Sequence, residues 1–233
     1  MTKDMSLAAV VFDFDGVIVN TEPLHYQAYQ ETLTPLGLGI SWNDYLAIYV
    51  GFDDRDAFRE VFRRTGQPLG DERLRELIHR KAEAFRKLVE RRGAEPYPGV
   101  VSLIRDLAAQ IPVALCSGAL RPDVDPILRK LKLTKSFSVI VTAEEVAVSK
   151  PDPASYVRAV KKLAEASAGH LIAAERCVAV EDTPAGIDAA SGAGLSVLAI
   201  ANTYPPAKLS QAARVVKSLD GITIDDFAAL VRS

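Results

Sequence analysis

The stretch Ala8-Ala9-Val10-Val11-Phe12-Asp13-Phe14-Asp15-Gly16 begins as a continuous apolar run and breaks into two carboxylates separated by one aromatic residue. Short unbroken runs of small, β-branched and aromatic residues mark strands covered on both faces, as in a parallel sheet. Further runs follow at Pro112-Val113-Ala114-Leu115-Cys116, Phe137-Ser138-Val139-Ile140-Val141, Cys177-Val178-Ala179-Val180 and Ser196-Val197-Leu198-Ala199-Ile200. Between them, Val100 to Ala109, Pro122 to Leu131, Pro153 to Ala166 and Pro184 to Gly192 carry helical patterning. Alternating strands and helices predict an α/β fold: a Rossmann-like parallel-sheet core with helices on both faces.

From about Asn20 to Glu95 no comparable strand run occurs. Leu74, Leu77, Ile78, Ala82, Phe85 and Leu88 recur at steps of three and four, and Asp53 to Arg64 sets Ala57, Phe58, Val61 and Phe62 among charges. The polar, Gly- and Pro-containing segment Arg91-Arg92-Gly93-Ala94-Glu95-Pro96 suits a hinge. The expected organisation is a core domain of residues 1–19 and 96–233 interrupted by an all-helical cap of residues 20–95.

The 28 lysines and arginines against 30 aspartates and glutamates give a formal charge of -2, which gives no support to a broadly basic nucleic-acid-binding surface. Hydrophobic residues at 48% and charged residues at 25% exclude a largely disordered chain. Cys116 and Cys177, each inside an apolar run, read as buried thiols in a reducing compartment rather than a disulfide framework. No apolar stretch approaches the length of a membrane span, and Met1 to Ser6 lack the basic-then-apolar layout of a secretion signal. A cytoplasmic, monomeric protein with no nucleic-acid or membrane partner is expected.

Ligands of open parallel sheets collect outside the carboxyl ends of strands. Asp13 and Asp15 follow the first run, with Gly16 permitting a tight turn. Ser117-Gly118 follow Cys116, and Glu181-Asp182 follow Val180. Lys150 lies nine residues past Val141, in a loop closed by Pro151 and Pro153. Brought together, these residues make an acidic site with one cation. Crowded carboxylates raise one another's pKa unless a cation offsets them. Mg2+ is the natural counter-charge, because it prefers one or two carboxylates with water and substrate phosphate completing its octahedron. Asp13 can then hold the metal and act as a covalent nucleophile of the aspartyl-phosphate kind. Asp15 can serve as general acid and then base. Ser117 and the adjacent backbone amides of Gly118 and Ala119 can bind phosphate oxygens, while Lys150 offsets charge on Asp13 and on the transferring group.

Each residue also has an ordinary reading. Asp-x-Asp-Gly is common in turns. As a calcium loop it fails, because Val17, Ile18 and Leu24 stand where an oxygen ligand, a glycine and a bidentate glutamate belong. Ser117-Gly118 reads as a strand-ending turn, Lys150 as solvated surface, and Glu181-Asp182 as the N-cap of the helix opening near Pro184. His25 and His79 lie in helix-patterned stretches, where histidines are usually surface or packing residues. What the separate readings leave unexplained is all four features at strand ends. A P-loop and a dinucleotide fingerprint are both missing, so nucleoside triphosphate or NAD chemistry has no support.

Val11-Phe12-Asp13-Phe14-Asp15-Gly16-Val17-Ile18, Ser117-Gly118, Ser149-Lys150-Pro151-Asp152-Pro153 and Val180-Glu181-Asp182-Thr183-Pro184-Ala185-Gly186 resemble, in this order, the four signature motifs of the haloacid dehalogenase superfamily. The similarity covers nearly the whole chain. It is nearest the branch with a helical cap inserted after the first motif, that of β-phosphoglucomutase and the phosphoglycolate and sugar-phosphate phosphatases. The resemblance implies Asp13 as nucleophile and metal ligand, and Asp15 as acid/base whose main-chain carbonyl also binds Mg2+. It further implies Ser117 and Lys150 on the phosphoryl group, and Asp182, with Glu181 nearby, completing the metal site. His25 and Lys81 fall where β-phosphoglucomutases carry cap residues that act on the sugar. In Gly51-Phe52-Asp53-Asp54-Arg55-Asp56, however, Asp54 occupies the place of the arginine those mutases use for a distal phosphate, and Arg55 is one position off. Asn20 likewise replaces a common aspartate. A bisphosphate intermediate needs a cation for its second phosphate. The first expectation is therefore a Mg2+-dependent phosphatase acting on a small phosphorylated metabolite, the second a phosphomutase, and the third a phosphate-accepting regulatory module like the receiver domains.

Overall fold

The computed structural model describes residues 7–50, 52–167 and 172–231; Met1 to Ser6, read above for the absence of a secretion signal, and Gly51 of the cap loop lie outside the described residues. In chain order the elements are β1 (Ala9–Phe12), α1 (Glu22–Leu33), α2 (Trp42–Asp44), α3 (Asp54–Thr65), α4 (Asp71–Arg92), α5 (Val100–Ala108), β2 (Val113–Cys116), α6 (Arg121–Leu131), β3 (Val139–Val141), α7 (Ala154–Ala166), β4 (Cys177–Glu181), α8 (Pro184–Gly192), β5 (Ser196–Ile200), β6 (Arg214–Val216) and α9 (Ile224–Val231).

The six strands form one parallel sheet in the order β3-β2-β1-β4-β5-β6. Five of them are the five apolar runs of the sequence. The sixth, Arg214-Val215-Val216, is a three-residue, partly exposed edge strand with too little apolar length to register as a run. Period-two alternation divides the core. Ala9 and Val11 of β1, Ala114 and Cys116 of β2, and Cys177 and Ala179 of β4 share one buried layer with Tyr156, Ala159 and Leu163 of α7 and with Ile187, Ala189 and Ala190 of α8. The intervening residues, such as Val10 and Phe12, turn to the other face, and α5 and α9 pack on the sheet as well. The strand order reverses direction between β1 and β4, the crevice position for a ligand in a doubly wound sheet.

The chain divides into two compact units, Met1–Asn20 with Pro96–Ser233, and Thr21–Glu95. In the second unit every described element is helical. Its α1 and α4 pack through Leu24, Ala28, Phe85 and Leu88. The connecting segments belong to the first unit and pair with each other: Val19 bridges Pro96 in antiparallel fashion, and the Tyr97 N–H donates to the Ile18 carbonyl at 3.0 Å. Among the described residues no helix is long and apolar enough to cross a membrane.

Helix α8 is opened by Thr183, whose hydroxyl accepts from the Gly186 N–H at 3.0 Å, with Pro184 in the first turn. At Gly186 a Cβ would stand 2.0 Å from Glu181 Oε2. Alanine is the better helix former by about 1 kcal/mol, but overpacking a buried position costs about 1–3 kcal/mol, and Glu181 is 1% exposed. Gly186→Ala is therefore expected to lower the thermal unfolding midpoint. An unchanged or raised midpoint would mean that helix propensity outweighs the collision with Glu181.

Candidate active site

The alternation of β1 places Ala9 and Val11 in the layer that contains Tyr156, so Asp13, continuing the strand, turns to the same side. Its N–H donates to the Val180 carbonyl at 3.0 Å, one ladder bond beyond the last paired residues, Phe12 and Val180. Glu181 continues the Cys177, Ala179 series of β4 to that same side; it is the last residue of the strand, paired with Ala199, rather than part of the loop beyond it. Lys150, which is far from both in sequence, closes the group. Its ammonium donates to Asp13 Oδ1 at 2.5 Å, to Glu181 Oε1 at 2.6 Å and to the Cys116 carbonyl at 3.2 Å, and lies 4.9 Å from the centre of the Tyr156 ring. An ammonium has three N–H bonds; three acceptors lie within 3.2 Å of this one, and the Tyr156 hydroxyl lies further off at 3.5 Å. Tyr156 donates its hydroxyl to Glu181 Oε1 at 2.6 Å.

Four carboxylates, those of Asp13, Asp15, Glu181 and Asp182, thus accompany a single ammonium. Burial pushes the Asp13 carboxyl up to about 8, with Glu181 and Asp15 adding to the rise and Lys150 opposing it. Burial also acts against charge on Lys150, but Asp13 and Glu181 outweigh it and hold the ammonium well above the ordinary lysine range. Burial, with Glu181 alongside, keeps the Tyr156 phenol protonated and therefore a donor. Cys116 and Cys177 are both buried free thiols; burial pushes them to about 11 and about 12, so neither supplies a thiolate.

Asp182 is 1% exposed. Thr203 donates its hydroxyl to Asp182 Oδ2, and the Asn202 amide donates to the Gly16 carbonyl at 2.7 Å. Gly16 has φ +79°, and a Cβ there would stand 1.8 Å from Asp182 Oδ2, so no side chain fits at this turn. Asp13, Glu181 and Asp182 each offer a carboxylate oxygen within 4.8 Å of the others. Buried hard-oxygen donors with surplus negative charge fit a divalent ion of the Mg2+, Mn2+ or Ca2+ type. Within that set Glu181 is already engaged at both oxygens: Oε1 by Lys150 and Tyr156, Oε2 by the Asp182 N–H at 3.2 Å and the Thr183 hydroxyl at 3.4 Å. The half-buried Asp15 side chain lies outside the set.

Ser117 follows β2, is 3% exposed, and donates its N–H to the Val141 carbonyl at 2.9 Å. Its hydroxyl accepts from the Ala119 N–H at 2.9 Å. That bond ties the Ala119 N–H to Ser117 and leaves the exposed Gly118 between them. The N-cap reading of Glu181-Asp182 is corrected, since Thr183 caps the helix instead. Tyr156, Asn202 and Thr203 were not among the sequence candidates. The last two lie just past the apolar run Ser196 to Ile200, so the strand-end rule applied to that run would have found them.

In the helical unit, Lys81 lies in the buried stripe of α4, with Leu74, Leu77, Phe85 and Leu88. It is 4% exposed and donates to Asp54 Oδ1 at 2.7 Å and to His25 Nδ1 at 2.8 Å. Tyr29 donates to the same Asp54 oxygen at 2.7 Å, and the His25 ring stacks on Phe85 with centroids 4.1 Å apart. Asp54, read as a departure from an arginine, is thus the counter-ion of a buried lysine. Arg55 pairs with Asp53 at 2.7 Å, and His79 is a surface residue 3.4 Å from Glu83.

A doubly wound sheet with carboxylates at the ends of its two central strands, sharing a lysine, defines an acidic α/β enzyme centre. The sequence model of the haloacid dehalogenase-like hydrolases matches residues 10–200, and the chain belongs to that family of enzymes. The phosphorylated carbohydrates phosphatase of Thermotoga maritima is 27% identical, over 81% of this chain and 82% of that protein. The β-phosphoglucomutase of Bacillus subtilis is 26% identical, over 94% and 93%. A CbbY variant from Rhodobacter sphaeroides, crystallised in complex with xylulose-(1,5)bisphosphate, superposes with a TM-score of 0.80 at 25% identity, covering 92% of this chain and 96% of that one.

The Asp13 environment sets a pH dependence of stability. Without divalent ions, Asp13 ionises near 3.8 when unfolded and at about 8 when folded. The folded state holds the extra proton between those values, so this contribution is fully present below 3.8 and is lost as pH rises towards 8. Asn at this position cannot titrate. In urea unfolding with chelator present, Asp13→Asn is expected to gain on the wild type progressively as pH rises through that window. A stability difference that is flat, or that shrinks with rising pH, contradicts the account.

Proposed function

We propose that the protein is a Mg2+-dependent phosphatase that hydrolyses a small sugar phosphate or related phosphate monoester through an aspartyl-phosphate on Asp13. The observation that carries this reading is the buried Asp13 carboxyl group 2.5 Å from Lys150 within the acidic group it forms with Glu181 and Asp182, where a bound divalent ion would favour its ionised, nucleophilic form. Asp13, Asp182 and the main-chain carbonyl of Asp15 would hold the ion, with Glu181 orienting Lys150. When bound, the ion neutralises the surplus negative charge and polarises phosphoryl oxygens.

A carboxylate oxygen of Asp13 attacks phosphorus, and the bond from phosphorus to the ester oxygen breaks. Asp15 delivers its proton to that leaving oxygen. Asp15, now a carboxylate, takes a proton from water as the water attacks phosphorus; the acyl-phosphate bond breaks, and inorganic phosphate and the original Asp13 are released. Lys150 remains on Asp13 throughout and offsets charge on the transferring group, while Ser117 and the Gly118 amide bind its oxygens. The helical unit, with boundaries near residues 20 and 95, acts as the cap that selects the leaving group, with His25, Lys81 and Arg55 as its substrate-side residues. The carbohydrate phosphatase and the sugar-bisphosphate complex among the relatives support a sugar phosphate as substrate. Hydrolysis is favoured over mutase chemistry because Asp54 stands where the mutases carry the arginine that holds a second phosphate.

Assayed against a panel of sugar phosphates with Mg2+, the protein is expected to release inorganic phosphate, and to stop doing so in chelator. Interconversion of β-glucose 1-phosphate and glucose 6-phosphate that requires a bisphosphate primer would instead make it a mutase. Long-lived phosphorylation without turnover would make it a regulatory module. Asp13→Asn should lower kcat by more than about a thousandfold with the fold intact. Asp15→Ala should slow both formation and breakdown of the intermediate by about a hundredfold or more. An unchanged rate in either variant removes that residue from its assigned role.

A further inference from the structure

We infer that Thr203 and Asn202, in the loop after β5, are positioning residues of the acidic centre: Thr203 aims the Asp182 carboxylate and Asn202 fixes the turn after β1. This rests on the divalent-cation reading proposed above and assigns the residues that hold its two halves in register.

The need for such residues follows from the sheet. Hydrogen bonding registers Phe12 with Val180 and extends one bond further, from the Asp13 N–H. Beyond that point the sheet ladder stops: the turn at Asp15-Gly16 is closed by local bonds, among them the Asp15–Val19 bridge and the Phe14 carbonyl accepting from Ile18 and Val19, and the Asp182 carboxylate lies past the last paired residue of β4. A carboxylate rotates in a broad, shallow torsional well, and like-charged neighbours drive the two loops apart. The loop after β5 supplies what the ladder lacks. The Thr203 hydroxyl has one proton, and it is donated to Asp182 Oδ2. Asn202 donates to the Gly16 carbonyl at 2.7 Å, while the Gly16 N–H donates to the Val19 carbonyl at 3.0 Å. Both peptide groups flanking Gly16 are therefore fixed. Because a trans peptide sets its C=O opposite its N–H, the Asp15 carbonyl is held pointing away from Val19.

The loop is itself anchored. The Ala201 N–H donates to the Val216 carbonyl at 2.9 Å, continuing the β5–β6 ladder by one bond. The short edge strand β6 thereby fixes the segment from which Asn202 and Thr203 reach across to β4 and β1. The closeness of Gly16 to this group, where a Cβ would meet Thr203 Oγ1 at 2.8 Å as well as Asp182, shows that turn, carboxylate and hydroxyl are packed as one unit. Partners of this kind, one step behind the ligands, orient them and tune affinity.

The test is Mn2+ binding to the full chain, followed by loss of the free-ion electron paramagnetic resonance signal, for wild type, Thr203→Val, Thr203→Ser, Asn202→Ala and Asp182→Asn. Thr203→Val is expected to bind about ten- to a hundredfold more weakly, with Thr203→Ser restoring most of the loss and Asn202→Ala also weakened. Binding by Thr203→Val and Asn202→Ala as tight as wild type would overturn the inference, as would a serine variant no better than valine. If Thr203→Val does not fold, Asn202→Ala decides. Failure of the wild type to bind Mn2+, or undiminished binding by Asp182→Asn, would instead overturn the cation reading on which the inference rests.

Discussion

The parallel-sheet unit is arranged around one buried ammonium. Lys150 donates at once to Asp13, Glu181 and the Cys116 carbonyl, groups delivered by β1, β4 and β2. An ion so enclosed is tolerable only with close, well-aligned partners, and removing one of them leaves an uncompensated charge. The three strands must therefore end at matching heights, which the parallel registers of Val10 with Val113 and with Val178 ensure. Helix α7 must follow the Lys150 loop closely enough to bring Tyr156 against Glu181. The same ammonium cannot neutralise all the carboxylates near it, and that excess is the basis of the proposed cation site.

Much of this was legible in the sequence. Five apolar runs located five strands because parallel strands buried on both faces leave little polar interruption. The polar residues just past them located Asp13, Ser117, Glu181 and Asp182, because strand ends are where a doubly wound sheet exposes chemistry. What stayed hidden depends on tertiary approach. Tyr156 reads as an ordinary member of an amphipathic helix until the strand layer it covers is known. Glu181 and Asp182 look alike as a pair, yet period-two alternation sends the first toward Lys150 and Tyr156, while the second meets Thr203. Ser117 and Ala119 close on each other through a local bond that no spacing rule announces. Strand β6 was too short and too exposed to stand out.

The helical unit shows the same distinction between a residue type and its setting. Asp54 is anomalous when compared with a motif and ordinary when seen beside Lys81, a lysine buried in the apolar stripe of α4 that requires an anion. Tyr29 and His25 complete the surroundings of that pair, and Phe85 supports the imidazole from below. A cation so engaged contributes to holding α1, α3 and α4 together.

The central claim is that the negative charge left over around Lys150 is balanced by a divalent ion held among Asp13, Asp15 and Asp182. Crystals grown with Mn2+, with anomalous scattering recorded at the manganese edge, test it most directly. The account predicts one strong peak within coordination distance of oxygens from Asp13 and Asp182 and of the Asp15 carbonyl, with Lys150 still on Asp13. No peak there at saturating Mn2+, or a peak bound by other residues while these acids remain packed on one another, would contradict it.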